Sequence, residues 1–320
     1  MRSWAHPRPL EYAPHHFKEA HIMFSNRFGI EIEFTGITRE QAANVAAAYL
    51  AGEVHRMHDH LDAYAVTASD GRVWRFVSDS SISCQQREHS HRISAASIYS
   101  VELVSPILMY REDIATLQNL IRQLRLAGGF TNKTCGIHVH LDGSNHSPRS
   151  IRNFVNIIAS KNDLFYKALQ IPPERSHYCQ KMDEYLVERM NRLKPNSFDA
   201  IERIWYEGYN ENRFQHYHSS RYHFLNLHSF FYGNGTIELR GFNSQLHAGK
   251  VRAYIVLALA LNRQALTQKS ASSRKSQEEN EKFAMRVYLN RIGFIGDEFK
   301  NCREHLYKHL DGNAAWRYRK

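Results

Sequence analysis

An α+β fold, in which a mainly antiparallel sheet carries helices on one face, is what this sequence predicts. Three observations point to it. Short stretches alternate polar and apolar residues with period two, as half-buried strands do. Longer stretches between them repeat apolar residues at the helical period. The two kinds of segment interleave along 320 residues of 42% hydrophobic content, enough for a sizeable core.

Residues 1–25 read as an N-terminal extension, with Trp, His, Pro and Glu where a signal peptide keeps an apolar run. The first strand is Phe28–Phe34, where Glu31 and Glu33 alternate with Ile30, Ile32 and Phe34. Thr38 then caps an alanine-rich helix over Arg39–Ala51. Tyr64–Ala68 and Arg72–Val77 flank Ser69-Asp70-Gly71, a hairpin signal. Asp79-Ser80-Ser81 follows, a composition that favours a turn. Cys84–Arg92 is polar and histidine-rich and reads as a mobile loop. Val101–Pro106 is an apolar strand with one carboxylate, Glu102.

Ile114, Leu117, Leu120, Ile121 and Leu124 make a helical stripe over Arg111–Ala127, stopped by Gly128 and Gly129. Next comes Thr134–Gly143. His138 and His140 share one strand face, and Ile137, Val139 and Leu141 share the other. Ser147 and Pro148 open a helix through Leu169. Short helices are expected over Cys179–Leu193 and Ser197–Tyr206, and a strand beginning at Arg221. In Gly235–Gly241, Glu238 and Arg240 alternate with Ile237 and Leu239. A helix over Gly249–Gln268 follows. Gln268–Asn280 has linker composition, and helices over Lys282–Tyr288 and Asp297–Leu310 lead to the basic Trp316–Lys320. The expected division is an extension (1–25), a catalytic domain (26–268) and a C-terminal linker with helices (269–320).

The polar faces carry the chemistry. If the strands share one side, that side holds Glu31, Glu33, Glu238, two imidazoles and the Arg240 guanidinium, with Glu102 at hand. Glu31 and Glu33 stand about 7 Å apart along a strand. Their repulsion is about 2.4 kcal/mol at an effective dielectric of ~20. A cleft sustains that only with cations. Carboxylates with an imidazole suit Mg²⁺ or Mn²⁺ better than a soft metal.

These residues carry a resemblance. Gly29-Ile30-Glu31-Ile32-Glu33, Asp79-Ser80-Ser81-Ile82, Val101–Pro106, Cys135–His140 and Thr236–Arg240 resemble, in order and spacing, the motif set of the putative amidoligase family. That family belongs to the carboxylate–amine ligase superfamily, with glutamine synthetase and glutamate–cysteine ligase as relatives. The resemblance spans roughly residues 28 to 245. It implies a curved, mainly antiparallel sheet like the catalytic domain of glutamine synthetase. It implies ATP-dependent amide formation through an acyl phosphate, with Mg²⁺ or Mn²⁺. By resemblance, Glu31, His138 and Glu238 hold the metal on the phosphate side, and Glu33 and Glu102 the one near the carboxylate substrate. Arg240 stabilises phosphoryl transfer, Arg221 binds phosphate or a substrate carboxylate, and His140 contacts phosphate or a metal-bound water. Only Glu102 stands in the middle strand, where glutamine synthetase has a second nearby glutamate. The Asp79 element is similar to one at the edge of the family's site. The substrates implied are an amine and a carboxylate of an amino acid, peptide or protein side chain.

Two other classes stay open. His-x-His with carboxylates also suits a metal-dependent hydrolase of amides or phosphoesters. Basic and aromatic residues over Trp205–Tyr232 also suit a catalytically silent nucleic-acid-binding relative. A formal charge of +10 and a pI of about 9.4 fit any anionic partner. No P-loop, nucleophile elbow, His-Glu-x-x-His helix or dinucleotide fingerprint is present. The four cysteines lack Cys-x-x-Cys spacing and read as reduced thiols of a cytoplasmic protein. No run approaches the ~20 apolar residues of a membrane span, and nothing in the sequence sets the oligomeric state.

Overall fold

A computed structural model describes residues 27–57, 62–275 and 279–316. The N-terminal extension, the last four residues of the basic tail and residues 276–278 of the expected linker lie outside the described residues. In chain order the first strands are β1 (Arg27–Phe34), β2 (Glu53–Arg56), β3 (Tyr64–Thr67), β4 (Val73–Val77), β5 (Gln85–Glu88) and β6 (His91–Ser94). They are followed by β7 (Val101–Val104), β8 (Leu108–Met109), β9 (Gly136–Asp142), β10 (Leu225–Asn226) and β11 (Thr236–Asn243). The longer helices are α1 (Arg39–Leu50), α2 (Tyr110–Leu126), α3 (Pro148–Leu169), α4 (Glu184–Leu193), α5 (Phe198–Tyr206) and α6 (Ala248–Thr267). Two more, α7 (Glu281–Arg291) and α8 (Lys300–Tyr307), end the described chain.

β1 lies at the middle of the main sheet, whose order is β10-β11-β9-β1-β7-β4-β3-β2, with β8 also paired to β1. Every strand pairing in it is antiparallel. The α+β class and the antiparallel sheet are as the sequence predicts. The curvature implied by likeness to glutamine synthetase is not there. The sheet is an open path with two separate edges, neither curled nor closed. Its far edge is built from short hairpin-linked strands, β2 to β4, which extend the path outward.

The period-two pattern explains the core. Phe28, Ile30, Ile32 and Phe34 are buried on one face of β1, and Ile137, Val139, Leu141, Ile237 and Leu239 continue that layer. Helices α2, α3 and α6 supply the backing; α6 packs on β9, α3 on β11 and both on each other. Each fully buried Leu or Ile contributes roughly 1.5–3 kcal/mol. Helix starts are specified locally. Thr38 and Gln41 form a capping box on α1, and Ser147 caps α3 with Pro148 in its first turn. Gly128, at φ +108°, turns the chain out of α2 in a conformation that favours glycine.

Three local expectations need correction. Cys84–Arg92 is not a loop: β5 and β6 form a two-stranded hairpin turning at His89 (φ +53°). Its root is fixed by the Gly36 amide on the Gln85 carbonyl (2.9 Å) and by the Thr35 hydroxyl. Arg221 does not begin a strand. His218 caps a 3-10 turn over Ser219–Tyr222, and only Leu225–Asn226 pairs in the sheet. The helix expected from Cys179 begins at Glu184, where Asp183 caps the Leu186 amide. The described part of the linker packs on α3, with Ala271 held by Asn153 and Asn156. Met285, Leu289, Cys302 and Leu306 from α7 and α8 join the same core.

Candidate functional site

Strand register assembles the polar face. Glu31 opposes His138, and Glu33 opposes Glu102. Glu238 opposes His140 on one side and Asn226 on the other. Directly opposed residues share a face, and residues two apart along a strand share it too. Glu31, Glu33, Glu102, His138, His140, Glu238 and Asn226 are therefore on the side away from the apolar layer.

The contacts are short. His138 Nδ1 lies 2.9 Å from Glu31 Oε2 and 3.6 Å from Glu238 Oε1, and His138 Nε2 lies 3.6 Å from Glu33 Oε1. His140 Nε2 lies 3.1 Å from Glu31 Oε1. The Arg240 guanidinium pairs with Glu238, whose other oxygen accepts from Asn226 Nδ2 at 2.7 Å. Arg240 Nε also donates to the Tyr178 carbonyl at 3.3 Å. The Gly136 amide donates to Glu33 Oε2 at 2.6 Å. Glu33, His138, Glu238 and Arg240 are buried. The side chains of Glu31 and His140 keep 25% and 23% exposure, so the face opens to solvent there.

Among the described residues, three groups bring candidate ligand atoms within 4.8 Å of one another: Glu31, His140 and Glu238; Glu31, Glu102 and His138; Glu33, Asp79 and Glu102. They overlap, so one band of acid and imidazole runs across four strands and the loop after β4.

Electrostatics follow from this crowding. Burial pushes the Glu31 carboxyl up, but the charges of His140 and His138 and the hydrogen bond with His138 outweigh it and hold it well below the usual range. Glu238 is likewise penalised by burial, yet Arg240 and the two histidines bring it to about 2. For His140, burial opposes protonation, while Glu31 and Glu238 raise it to about 9. Glu102 lacks such partners. Burial first, then Glu31, Glu33 and Asp79, push it well above the ordinary value. Burial and Asp79 also raise Glu33, against His138 and Arg175.

Some neighbours escaped the sequence reading. Asn226 gives no period-two signal beyond its own two-residue strand. Arg175 is buried under β11, with Nη1 on the Phe242 carbonyl and Nη2, at 3.0 Å, on the Arg240 carbonyl. It fits because position 136 is glycine: a Cβ there would meet its guanidinium at 2.3 Å. The pairing of β11 with β9 is irregular between Leu239 and Phe242, and Arg175 reaches the carbonyls flanking that irregularity. Asp79 is both a turn residue and a site neighbour; its Oδ1 accepts from the Ser81 amide while the carboxylate approaches Glu33 and Glu102. Arg221 sits farther out. It donates to the His216 carbonyl, and its guanidinium lies over Tyr217 (5.1 Å) and Tyr222 (5.9 Å).

The donor set suits a hard divalent cation. His140 Nε2 is buried and, despite its nearness to Glu31, has no hydrogen-bond partner of proper geometry. A protonated ring nitrogen left unpaired there is placed to donate to an oxygen of a bound phosphate or of a metal-bound water, while the carboxylates around it suit a hard cation. The fold and the site thus define an α+β protein with a metal-capable floor of acids and imidazoles. Residues 25–262 match the model of the family described as "putative amidoligase enzyme", and the chain belongs to that family. Membership makes it a ligase-type enzyme acting on a carboxylate and an amine. No curated protein matches the chain. Among the described residues, no helix is long and apolar enough to cross a membrane.

Proposed function

We propose that the protein is an ATP-dependent carboxylate–amine ligase that forms an amide through an acyl phosphate, with residues 26–268 as its catalytic unit. One observation supports this reading above others: Glu31, His140 and Glu238 converge at the solvent-facing part of the acid floor, beside the buried guanidinium of Arg240.

A carboxylate is a poor acyl donor because oxide is a poor leaving group. Phosphorylation corrects this. The substrate carboxylate oxygen attacks the γ-phosphorus of ATP, the bridging P–O bond breaks and ADP departs. The amine nitrogen then adds to the acyl carbon, the C–O bond to phosphate breaks, and the nitrogen sheds a proton.

Glu31, His138 and Glu238 would hold a Mg²⁺ or Mn²⁺ on the phosphate side. Glu33 and Glu102, with Asp79, would hold one near the substrate carboxylate. Such ions supply charge neutralisation and Lewis acidity to phosphoryl transfer. Arg240, fixed by Glu238 and the Tyr178 carbonyl, presents its planar fork to the transferring group. Arg221, outside Tyr222, would take a phosphate or carboxylate oxygen. His140 Nε2 would contact phosphate.

The test is product analysis. The protein is incubated with ATP, Mg²⁺ or Mn²⁺, candidate acids and candidate amines. ADP and a condensed product are expected by mass spectrometry, and both are lost in Glu238→Gln. Hydrolysis of an amide or phosphoester without nucleotide would move the assignment to a metal-dependent hydrolase.

A further inference from the structure

The β5–β6 hairpin carries a charge arrangement that neither the acid floor nor the family assignment uses. Arg87 and Arg92 are cross-strand partners in it. Directly opposed residues of an antiparallel pair share a face, and like charges in that position repel. Both side chains are exposed, and both guanidiniums lie over the Phe130 ring, 5.3 Å and 4.3 Å from its centroid. Arg92 Nη1 also donates to the Thr131 carbonyl at 3.3 Å. Among the described residues, no carboxylate pairs with either arginine. Glu88, the one acid of the two strands, opposes His91 and so turns to the other face.

The hairpin stands on the floor's own side of the sheet. Thr35 continues the alternation of β1, so its side chain shares the face of Glu31 and Glu33. That hydroxyl accepts from the Gln85 amide at 2.9 Å and donates to the Gln85 carbonyl at 2.8 Å. Phe130, the ring under the two arginines, pairs with Thr35 through both backbone groups at 2.8 Å. The root of the hairpin is therefore next to the group formed by Glu33, Asp79 and Glu102. Glu33 and Thr35 are one two-residue step apart, and so are Gln85 and Arg87, about 7 Å each.

Two guanidinium forks on one ring, with no acid between them, offer a carboxylate paired N–H donors. The floor already offers a place to the carboxylate that reacts, so an anion at the hairpin is a second one. A single amino acid spans at most ~3.6 Å of extended chain, and a peptide of a few residues covers the separation. We propose that Arg87 and Arg92 clamp a second carboxylate of the acid substrate, which makes that substrate an acidic peptide, a reading that rests on the ligase assignment above. The chain's formal charge of +10 favours such a partner.

Tetraglutamate, tetraglutamine and Mg²⁺–ATP are titrated separately into the full chain by calorimetry. Wild type is expected to bind tetraglutamate about tenfold or more tighter than tetraglutamine. Arg87→Gln and Arg92→Gln are each expected to weaken tetraglutamate about tenfold and to leave ATP unchanged. Melting of the peptide-free variants checks that they fold, and relief of the opposed charges is expected to leave the midpoint level or higher. Equal affinity of wild type for the two peptides, or tetraglutamate binding that neither substitution weakens, overturns the clamp. So does a loss of ATP affinity equal to that of tetraglutamate, which would make the arginines phosphate ligands. Tetraglutamate binding that depends on the arginines, in a chain that binds no ATP, supports the clamp and overturns the ligase reading alone.

Discussion

Glu31 and His138 face each other across β1 and β9, with Oε2 and Nδ1 2.9 Å apart, while the second oxygen of Glu31 lies 3.1 Å from His140 Nε2. One carboxylate thus spans two imidazoles that a single strand presents on the same side. Glu31 belongs to two of the three candidate ligand groups, so its loss disturbs both. Glu31→Gln is expected to weaken Mn²⁺ binding by about tenfold or more. Calorimetric titration of the metal into variant and wild type checks this. Equal affinities would remove Glu31 from any metal site.

The Glu238–Arg240 pair is buried at both ends. Removing one partner of such a pair strands the other charge, at a cost of about 3–5 kcal/mol. Glu238→Ala leaves the guanidinium with one carbonyl contact and is expected to cost that much. Arg240→Met is expected to cost less, because His138 and His140 still face Glu238. Urea unfolding of the two variants gives the order, and the reverse order would show that the histidines do not compensate.

Much of this was legible because strands advertise their faces. The alternation in Phe28–Phe34, Ile137–Leu141 and Ile237–Arg240 marked which side chains turn from the core, and register then set them opposite one another. Contacts set by loops or by irregular backbone carry no such signal. Asp79 reaches Glu33 and Glu102 from a turn held by Ser100, 21 residues away. Arg175 is recruited by two carbonyls at an irregularity in β11, and nothing in Pro173–Ser176 announces that. The β5–β6 hairpin hid for another reason: both its faces are polar, so Gln85–Ser94 lacks the apolar alternation that reveals a strand. The missing curvature is a property of the whole sheet, which short motifs do not specify.

Glu102 is the member of the floor with the least compensation. Glu33 opposes it across the strands, Asp79 approaches from the turn, and the causes raising it are burial followed by three other acids. Mutual repulsion between charges within 4.8 Å is about 3–4 kcal/mol at an effective dielectric of ~20. Glu102→Gln keeps the shape and removes the charge. It is expected to raise the melting temperature of the metal-free protein while weakening Mn²⁺ binding. A variant that neither gains stability nor loses metal would show that Glu102 is an ordinary polar residue of its strand.

Arg175 offers a test of the scaffold under the site. Arg175→Met keeps most of the volume but leaves the Phe242 and Arg240 carbonyls without their donor. Each unsatisfied buried acceptor costs about 1–3 kcal/mol. A loss of about 2–6 kcal/mol is therefore expected in urea unfolding. A loss below 1 kcal/mol would mean that water or a neighbour serves those carbonyls equally well.

The last prediction concerns two buried histidines that belong to none of the candidate ligand groups. His146 is buried against α3 and α6, paired with Asn262 at 2.8 Å and Ser150 at 3.1 Å. His223 is buried between Tyr209 (2.8 Å) and the Lys181 carbonyl (3.0 Å). Burial is the main cause that lowers both, against raising contributions from Asn262 for His146 and from the Lys181 carbonyl for His223. A histidine whose folded value is depressed binds protons more readily when unfolded. Its contribution to stability is complete above the unfolded value of about 6.5 and is lost as pH falls below it. Glu33 and Glu102, being raised, have the opposite sign: their penalty fades as pH falls toward the carboxylate range. The wild-type curve mixes the two effects, so the informative quantity is a difference. Unfolding free energies of wild type and of His146→Gln/His223→Gln, compared from pH 7 to 5, are expected to converge as pH falls, because only wild type carries the histidine penalty. Parallel curves would mean that both rings take up protons without cost in the folded protein.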